Sequence, residues 1–264
     1  MDLLHTLLLA IVQGLTEFLP ISSSGHLILL PHVVGWRDQG LAADVAAHFG
    51  TLLAVIYYFK RELKEMAVAW WGSVFHRRSS AESSLAWAVL WGTVPLALSG
   101  LLLYDLVQTL REPLLIAATT AGFGILLWVS DKTGRRTLSE YQIGWRHVLV
   151  IALAQALALI PGTSRSGITM TAALGAGLTR SAAARFSFLL SVPAIALASG
   201  YQTLKLIQSA EPVNWGTLAS IVLLSAISAY ICIDLFLKFL EKTGMAPFAV
   251  YRVLLAGVIY LVFA

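Results

Sequence analysis

The sequence predicts an all-α membrane protein that crosses the bilayer six times, and three observations lead to that fold class. The first is composition, because 58% of the 264 residues are hydrophobic and only 12% are charged, whereas soluble domains carry roughly 25% charged residues. The second is a mean hydropathy of +0.79. The third is the length of the apolar runs, which suits transmembrane helices better than the short alternating strands of an outer-membrane barrel.

Six apolar segments are long enough to cross the hydrocarbon core of a bilayer, which takes about 17 to 25 helical residues. These spans are predicted at residues 41–59, 85–104, 114–130, 186–204, 217–240 and 247–263. A further apolar segment, residues 66–75, is predicted to lie at the membrane interface with Trp70 and Trp71 at the depth of the lipid headgroups.

Two other apolar regions are interrupted by clusters of proline, glycine and serine. Residues 3–35 are interrupted at residues 19–25 (LPISSSG), and residues 148–178 are interrupted at residues 161–167 (PGTSRSG). An arm of about 11 to 16 residues extends only about 16 to 24 Å as a helix. The sequence therefore predicts two re-entrant helix-loop-helix hairpins whose tips lie near the middle of the membrane.

The distribution of basic residues predicts the orientation of the protein. Most of the 18 Lys and Arg residues fall on one side of the predicted topology, and the positive-inside rule makes that side cytoplasmic. Both termini are then expected to be periplasmic, and the two hairpins enter from opposite sides. Arg252, near the cytoplasmic end of the last span, is expected to extend its side chain to the membrane surface.

The two interrupted regions also resemble each other in sequence. One constant shift along the chain aligns Gln13 with Gln155, Ser22 with Ser164, Ser24 with Ser166, and Gly25 with Gly167. We therefore predict a single membrane domain over residues 1–264, built as an inverted repeat with halves at about 1–130 and 146–264. Broken helices at corresponding positions of inverted halves are typical of a buried binding site, so we expect the site where the tips meet.

Glu17 is the most informative residue of the first tip, because an ionisable side chain in an apolar segment normally faces a cavity or a partner. Gln13 lies four residues earlier and therefore on the same helix face. That face leads to the polar residues Ser22, Ser23, Ser24 and His26. An alternative interpretation is that Glu17 and His26 only pair with each other and lock the hairpin.

The second tip carries a permanently charged residue, Arg165, at the predicted depth of the membrane centre. The polar and small residues around it are Gly162, Ser164, Ser166, Gly167 and Thr169. A guanidinium group matches phosphate oxygens in a bidentate manner, and helix N-termini also favour anions. The alternative is that Arg165 only neutralises Glu17. Asp44 and His48 are predicted either to line the same cavity or to lie at a wet surface.

Together the two tips favour phosphoryl chemistry on an amphiphile. A carboxylate beside a phosphate also indicates a divalent cation, since Mg²⁺ is commonly held by one or two carboxylates together with phosphate oxygens and water. The sequence has no Gly-rich P-loop ending in Lys-Ser or Lys-Thr, which argues against nucleotide-driven work.

At these residues the sequence resembles the undecaprenyl pyrophosphate phosphatases of the bacitracin-resistance type. Residues 13–27 (QGLTEFLPISSSGHL) are similar to the first signature of that family, in which three residues separate a Glu or Gln from the Glu that follows. Residues 161–169 (PGTSRSGIT) match its second motif, Pro-Gly-x-Ser-Arg-Ser-x-x-Thr, at every fixed position. The similarity extends through most of the chain, including residues 49–55 (FGTLLAV), 186–190 (FSFLL) and 247–252 (PFAVYR). The chain departs mildly from the family pattern at two positions. Gln13 is the amide that the family permits in place of Glu, and His48 stands where Gln is expected.

The resemblance implies an enzyme of the bacterial inner membrane that hydrolyses undecaprenyl diphosphate to its monophosphate and so recycles the lipid carrier of peptidoglycan synthesis. It also implies a requirement for Mg²⁺ or Ca²⁺. Its expected partners are the polyprenyl diphosphate substrate and membrane lipid, with no role for nucleic acid, and a homodimer is compatible with the sequence.

The implied catalytic residues are Glu17, Ser23, His26 and Arg165. Glu17 would hold the metal, His26 would act as general acid or base, and Ser23 or a metal-held water would attack the phosphorus. The implied substrate-binding residues are Gln13, Ser22, Ser24, Gly162, Ser164, Ser166, Gly167 and Thr169.

Two other function classes fit part of the pattern. A type 2 phosphatidic acid phosphatase would need a histidine six residues after its arginine, where this chain has Thr171. A transporter or lipid flippase would share the inverted repeat and the broken helices, but it would leave phosphate ester bonds intact.

Overall fold

The computed structural model describes residues 3–23, 25–27, 29, 35, 40–110, 112–209 and 214–264. These residues form eleven α-helices and one short 3₁₀ helix, and an isolated β-bridge joins Leu138 to Leu178. The helices are α1 (Leu3–Phe18), α2 (Leu41–Tyr58), α3 (Lys60–His76), α4 (Ala81–Leu102), α5 (Tyr104–Thr109), α6 (Pro113–Thr133), α7 (Trp145–Ala156), the 3₁₀ helix (Leu157–Leu159), α8 (Arg165–Gly175), α9 (Arg180–Ser209), α10 (Trp215–Thr243) and α11 (Ala246–Phe263).

Six of these helices are long and apolar enough to cross a membrane, namely α2, α4, α6, α9, α10 and α11. The six predicted spans are therefore confirmed. The largest difference in length is at α9, which begins at Arg180 instead of residue 186. Polar residues can extend this helix because Arg180 donates to both carboxylate oxygens of Asp131, at 2.7 and 2.9 Å.

The helices break where the sequence predicts interruptions. Helix α1 ends at Phe18, and the 3₁₀ helix that continues α7 ends at Leu159, before α8 begins at Arg165. The described residues of the chain after the first break, 23, 25–27 and 29, are helical again. Both interruptions thus separate two helical arms.

The two breaks share one local turn. Ser22 and Ser164 both have positive φ, at 72° and 67°. The hydroxyl of Ser22 accepts the backbone N–H of Gly25 at 3.4 Å, and the hydroxyl of Ser164 accepts that of Gly167 at 3.1 Å. Each serine therefore satisfies an N–H group at the beginning of the second arm, as an N-cap residue does.

Small residues hold α1 and α2 close to α10. A β-carbon at Gly14 would lie 1.9 Å from Ser228 Oγ, and one at Gly50 would lie 2.1 Å from Ser225 Oγ. Such close approach is typical of helix packing in membranes, where dispersion contacts replace the hydrophobic effect between helices. This packing fixes α1, which carries Gln13 and Glu17.

Charged residues meet at one end of the helix bundle. Arg185 forms ion pairs with Glu140 and Glu62. Asp131 forms ion pairs with Arg180 and Arg136. These pairs bring the beginnings of α3 and α9 together with the chain that follows α6, as the predicted topology requires. The membrane side of this end stays a prediction, and so does the interfacial depth of residues 66–75, which form part of α3.

Candidate active site

The two interruptions contact each other directly. Arg165 Nη2 donates to Glu17 Oε1 at 3.1 Å, and Ser166 Oγ donates to the carbonyl oxygen of Leu19 at 2.9 Å. One charged pair and one neutral hydrogen bond therefore join the tips. The expectation that the candidate residues of both tips come together is correct for Glu17, Arg165 and Ser166.

Glu17 is almost completely enclosed, with 8% of its side chain exposed. Its Oε2 accepts a hydrogen bond from Gln13 Nε2 at 3.0 Å and lies 3.8 Å from His48 Nε2. His48 Nδ1 lies 2.8 Å from the carbonyl oxygen of Asp44 and so donates to it. His48 therefore lines the site, and Asp44 orients its ring through the backbone.

The amide oxygen of Gln13 is the second oxygen atom of interest beside Glu17. Gln13 Oε1 is buried and has no hydrogen-bond partner among the described residues. A buried oxygen without a donor is unfavourable in the free protein, but it suits a cation with oxygen ligands. The described residues contain no group of three or more His, Cys, Asp or Glu side chains that could hold a metal. The oxygen atoms of Glu17 and Gln13 fit a hard cation that takes its other ligands from substrate and water.

The guanidinium of Arg165 is fixed from two sides. In addition to Glu17, it donates through Nη1 to the carbonyl oxygen of Ser187 at 3.2 Å. Arg165 stands at the first position of α8, where the unpaired N–H groups of the helix give a partial positive charge. The ion pair with Glu17, which the sequence left open as an alternative, is thus present.

Several predicted substrate-binding hydroxyls already have partners within the protein. Thr169 is completely buried, and its Oγ1 lies 2.6 Å from Ser187 Oγ and donates to the carbonyl oxygen of Arg165 at 2.9 Å. Ser164 Oγ lies 3.2 Å from Ser166 Oγ. In this structure these residues hold α8 in position against α9 and the first tip.

His26 has a different partner from the one considered in the sequence. Its Nδ1 lies 2.7 Å from the carbonyl oxygen of Ser22, and its Nε2 lies 2.7 Å from the hydroxyl of Tyr251. A carbonyl oxygen can only accept, so Nδ1 donates and Nε2 of the neutral ring accepts from the phenol. The alternative that His26 and Glu17 lock the hairpin is therefore wrong, since Glu17 pairs with Arg165.

Of the two remaining serines of the first tip, the structure describes Ser23 but not Ser24. Ser23 is half-buried and lies at the beginning of the second arm. Ser24, predicted to bind substrate, lies outside the described residues.

Gly162 has a structural role that explains its residue type. Its φ is +87°, and a β-carbon would lie 2.1 Å from Thr119 Oγ1 and 2.6 Å from the carbonyl oxygen of Ile116. The same threonine donates to the carbonyl oxygen of Pro161 at 2.6 Å. Glycine is therefore required here for close packing on α6.

The prediction that Arg252 extends its side chain to the membrane surface is wrong. Arg252 does not reach the membrane surface, because none of its surface is exposed. It donates hydrogen bonds to the carbonyl oxygens of Thr120, Gly162 and Thr163, each at 2.9 Å, and Nη1 lies 3.5 Å from that of Pro20. Loop carbonyls inside an apolar bundle need donors, and the five N–H groups of one guanidinium supply them.

Comparison with known proteins shows the family of this chain. The family model described as bacitracin resistance protein BacA matches residues 6–258. The chain belongs to that family. Among curated members, "Undecaprenyl-diphosphatase" of Nitrosococcus oceani is 56% identical, with all of both chains covered. "Undecaprenyl-diphosphatase 2" of Stutzerimonas stutzeri is 55% identical over all of this chain and 99% of its own, and "Undecaprenyl-diphosphatase" of Thioalkalivibrio sulfidiphilus is 54% identical over all of both.

In this member of the BacA family, sequence reasoning missed three contributors to the site, namely Ser187, Tyr251 and Arg252. All three lie in stretches that carried part of the family resemblance, Ser187 in 186–190 and the other two in 247–252. The signal that identified Glu17, an ionisable group in an apolar segment, applied equally to Arg252. Ser187 carried no such signal, because its role depends on its backbone carbonyl and on a hydroxyl contact across helices.

Proposed function

We propose that this protein is an undecaprenyl-diphosphatase, an enzyme that hydrolyses the C55 isoprenoid diphosphate to its monophosphate and inorganic phosphate. The names of its relatives support this activity. One structural observation carries the proposal: Glu17 and Arg165 meet at 3.1 Å between two helix breaks of an apolar bundle. An apolar bundle with a charged centre suits a substrate that has a lipid tail and an anionic headgroup.

Arg165 is the proposed phosphate ligand. Only 13% of its side chain is exposed, so its interaction with an anion is weakly screened by water. Nη2 donates to Glu17 and Nη1 donates to Ser187, which keeps the planar guanidinium in place, and its other N–H groups can donate to phosphate oxygens when the headgroup binds. The backbone N–H groups at the beginning of α8 add to the stabilisation of developing charge.

Ser23 is the proposed nucleophile, and water is the alternative. In either route the attacking O–H loses its proton, the new P–O bond forms at the terminal phosphorus, and the bond to the bridging oxygen breaks to release undecaprenyl monophosphate. The water route gives inorganic phosphate directly. In the serine route a water then attacks the phosphoserine, and the bond between phosphorus and Ser23 Oγ breaks to release inorganic phosphate and restore the serine. His26 Nε2 is the proposed acceptor of the proton from the attacking O–H. For this step Nε2 must exchange the hydroxyl of Tyr251 for the attacking group or receive the proton through it.

Mg²⁺ or Ca²⁺ is the proposed cofactor. Glu17 would hold the cation through its carboxylate, and Gln13 would hold it through the amide oxygen that has no partner among the described residues. When bound, the cation would offset negative charge on the diphosphate. Enzymes that hold Mg²⁺ in this way commonly leave most ligand positions to substrate and water.

We further propose that the two interrupted regions are re-entrant hairpins of an inverted repeat in the bacterial inner membrane, with both termini periplasmic. The lengths of the arms support this topology, since α7 has 12 residues and α8 has 11, which correspond to roughly 16 to 18 Å. The matching positive φ and N-cap contacts of Ser22 and Ser164 support the repeat.

The activity proposal is tested by phosphate release from undecaprenyl diphosphate, using protein purified in detergent with and without a chelator. We expect chelator-sensitive release by the wild type and none by Glu17→Ala. Glu65→Ala is a matched control, because that carboxylate is exposed on α3. A folded wild type that releases no phosphate would contradict the proposal and would favour a transporter or flippase.

A further inference from the structure

The charges around the two tips do not balance. Arg165 is paired with the carboxylate of Glu17, so these two residues contribute no net charge together. Arg252 is fully buried, and its hydrogen-bond partners are backbone carbonyls. It forms no ion pair within the part of the chain that the structure describes. Among the described residues, the centre of the site therefore carries one uncompensated positive charge in the absence of substrate and cation.

The position of this charge relates it to the proposed phosphate site. Arg252 bonds the carbonyls of Gly162 and Thr163 in the second tip. A β-carbon at Gly167, in the first turn of α8, would lie 2.7 Å from Arg252 Nη1. The guanidinium therefore lies directly against the first turn of α8, on which Arg165 stands.

Carbonyl dipoles satisfy the N–H groups of Arg252 but do not cancel its charge. An unpaired charge inside an apolar protein is costly. The cost falls when an anion binds nearby, so such a residue favours the anion-bound state. The guanidinium of Arg252 also fixes the loop of the second tip, because it donates hydrogen bonds both to Thr120 of α6 and to Gly162 of that loop.

We propose that Arg252 is a positioning residue that supplies the net positive charge of the protein's own side chains at this site for binding the diphosphate headgroup, acting through the tip loop without touching the substrate. This inference rests on the proposed function. At an effective dielectric constant of about 20, a unit charge roughly 8 Å from a phosphate changes affinity by about 30-fold. Arg165, already neutralised by Glu17, contributes less to the attraction of the free headgroup.

The test separates the charge of Arg252 from its hydrogen bonds. KM and kcat for undecaprenyl diphosphate are measured for Arg252→Lys and Arg252→Met, and the Kd of inorganic pyrophosphate is measured by calorimetry. We expect Arg252→Lys, which keeps the charge but makes fewer bonds, to change KM and Kd by no more than about threefold. Arg252→Met should raise both by about tenfold or more and change kcat less.

Arg78→Met is the matched control, because it removes a positive charge from an exposed position, and both constants should stay unchanged. Equal increases of KM and Kd in the Lys and Met variants would overturn the proposal and leave Arg252 a purely structural residue. If the Met variant fails to fold, the Lys variant decides alone: constants near wild type support the proposal, and a tenfold rise contradicts it. The pyrophosphate measurement is independent of hydrolysis, so a wild type without activity would count against the proposed function and not against this charge.

Discussion

Replacing Gly162 by alanine is expected to destabilise the second tip strongly. The residue has φ +87°, and an L-residue in left-handed backbone costs about 1 to 2 kcal/mol. The new β-carbon would also meet Thr119 Oγ1 at 2.1 Å and the carbonyl oxygen of Ile116 at 2.6 Å. The hydroxyl can rotate away, at a cost of about 1 kcal/mol for its lost bond to Pro161. The carbonyl belongs to α6 and cannot rotate.

Overpacking against that carbonyl adds about 1 to 3 kcal/mol, so the free energy of unfolding should fall by about 3 to 6 kcal/mol in total. Gly177→Ala is the matched control. Its φ is +99°, but the nearest atoms to a β-carbon, on Leu138 and Arg135, lie at 3.8 and 4.0 Å. This variant should carry only the backbone cost of about 1 to 2 kcal/mol.

The assay is thermal unfolding of both variants in one detergent, followed by kcat/KM for phosphate release. We expect Gly162→Ala to unfold at a clearly lower temperature than Gly177→Ala and to lose most of its activity, because the displaced tip carries Arg165. Equal unfolding temperatures for the two variants would refute the argument that this loop needs glycine for its packing on α6.

Three further substitutions give distinct expected outcomes. Glu17→Gln removes the carboxylate charge and should lower kcat by about 100-fold or more in folded protein, and near-normal phosphate release would remove Glu17 from the mechanism. Tyr251→Phe keeps the ring, which stacks on His26 at 5.6 Å, but loses the hydroxyl, so kcat should fall about tenfold at constant KM; a change in KM alone would indicate a binding role. Asp131→Asn weakens the pair with Arg180 and should lower the free energy of unfolding by about 3 kcal/mol. Its KM should equal that of the wild type, and a raised KM would show that this end of the bundle acts on the site.

The spans and breaks could be predicted because they depend on local composition. A run of apolar residues predicts a helix wherever it lies. Pro20 and Pro161 interrupt helices because proline lacks a backbone N–H, and Gly162 does so because glycine adopts positive φ at low cost. The beginning of α9 is predicted too late because it depends on a contact between distant parts of the chain and not on local composition. Arg180 is polar in sequence, and its partner Asp131 comes from another helix.

The candidate site was predicted by residue type but not by partner. The types Glu, Gln and Arg in apolar segments predicted a polar site at the two breaks, whereas the ion pair of Glu17 with Arg165 was only an alternative interpretation. His26 and Tyr251 are 225 residues apart, and no pattern in the sequence indicates that they meet. Arg252 was misplaced because its partners are backbone carbonyls of distant loops, which side-chain types do not reveal.

The most direct test of the central claim, that a lipid diphosphate is hydrolysed where the two tips meet, is kcat/KM for undecaprenyl diphosphate in Arg165→Ala beside Arg78→Ala. The account predicts that the first variant, folded and monodisperse in detergent, loses activity by about 1,000-fold, while the second matches the wild type. Arg165→Ala protein that releases phosphate at the wild-type rate would contradict it.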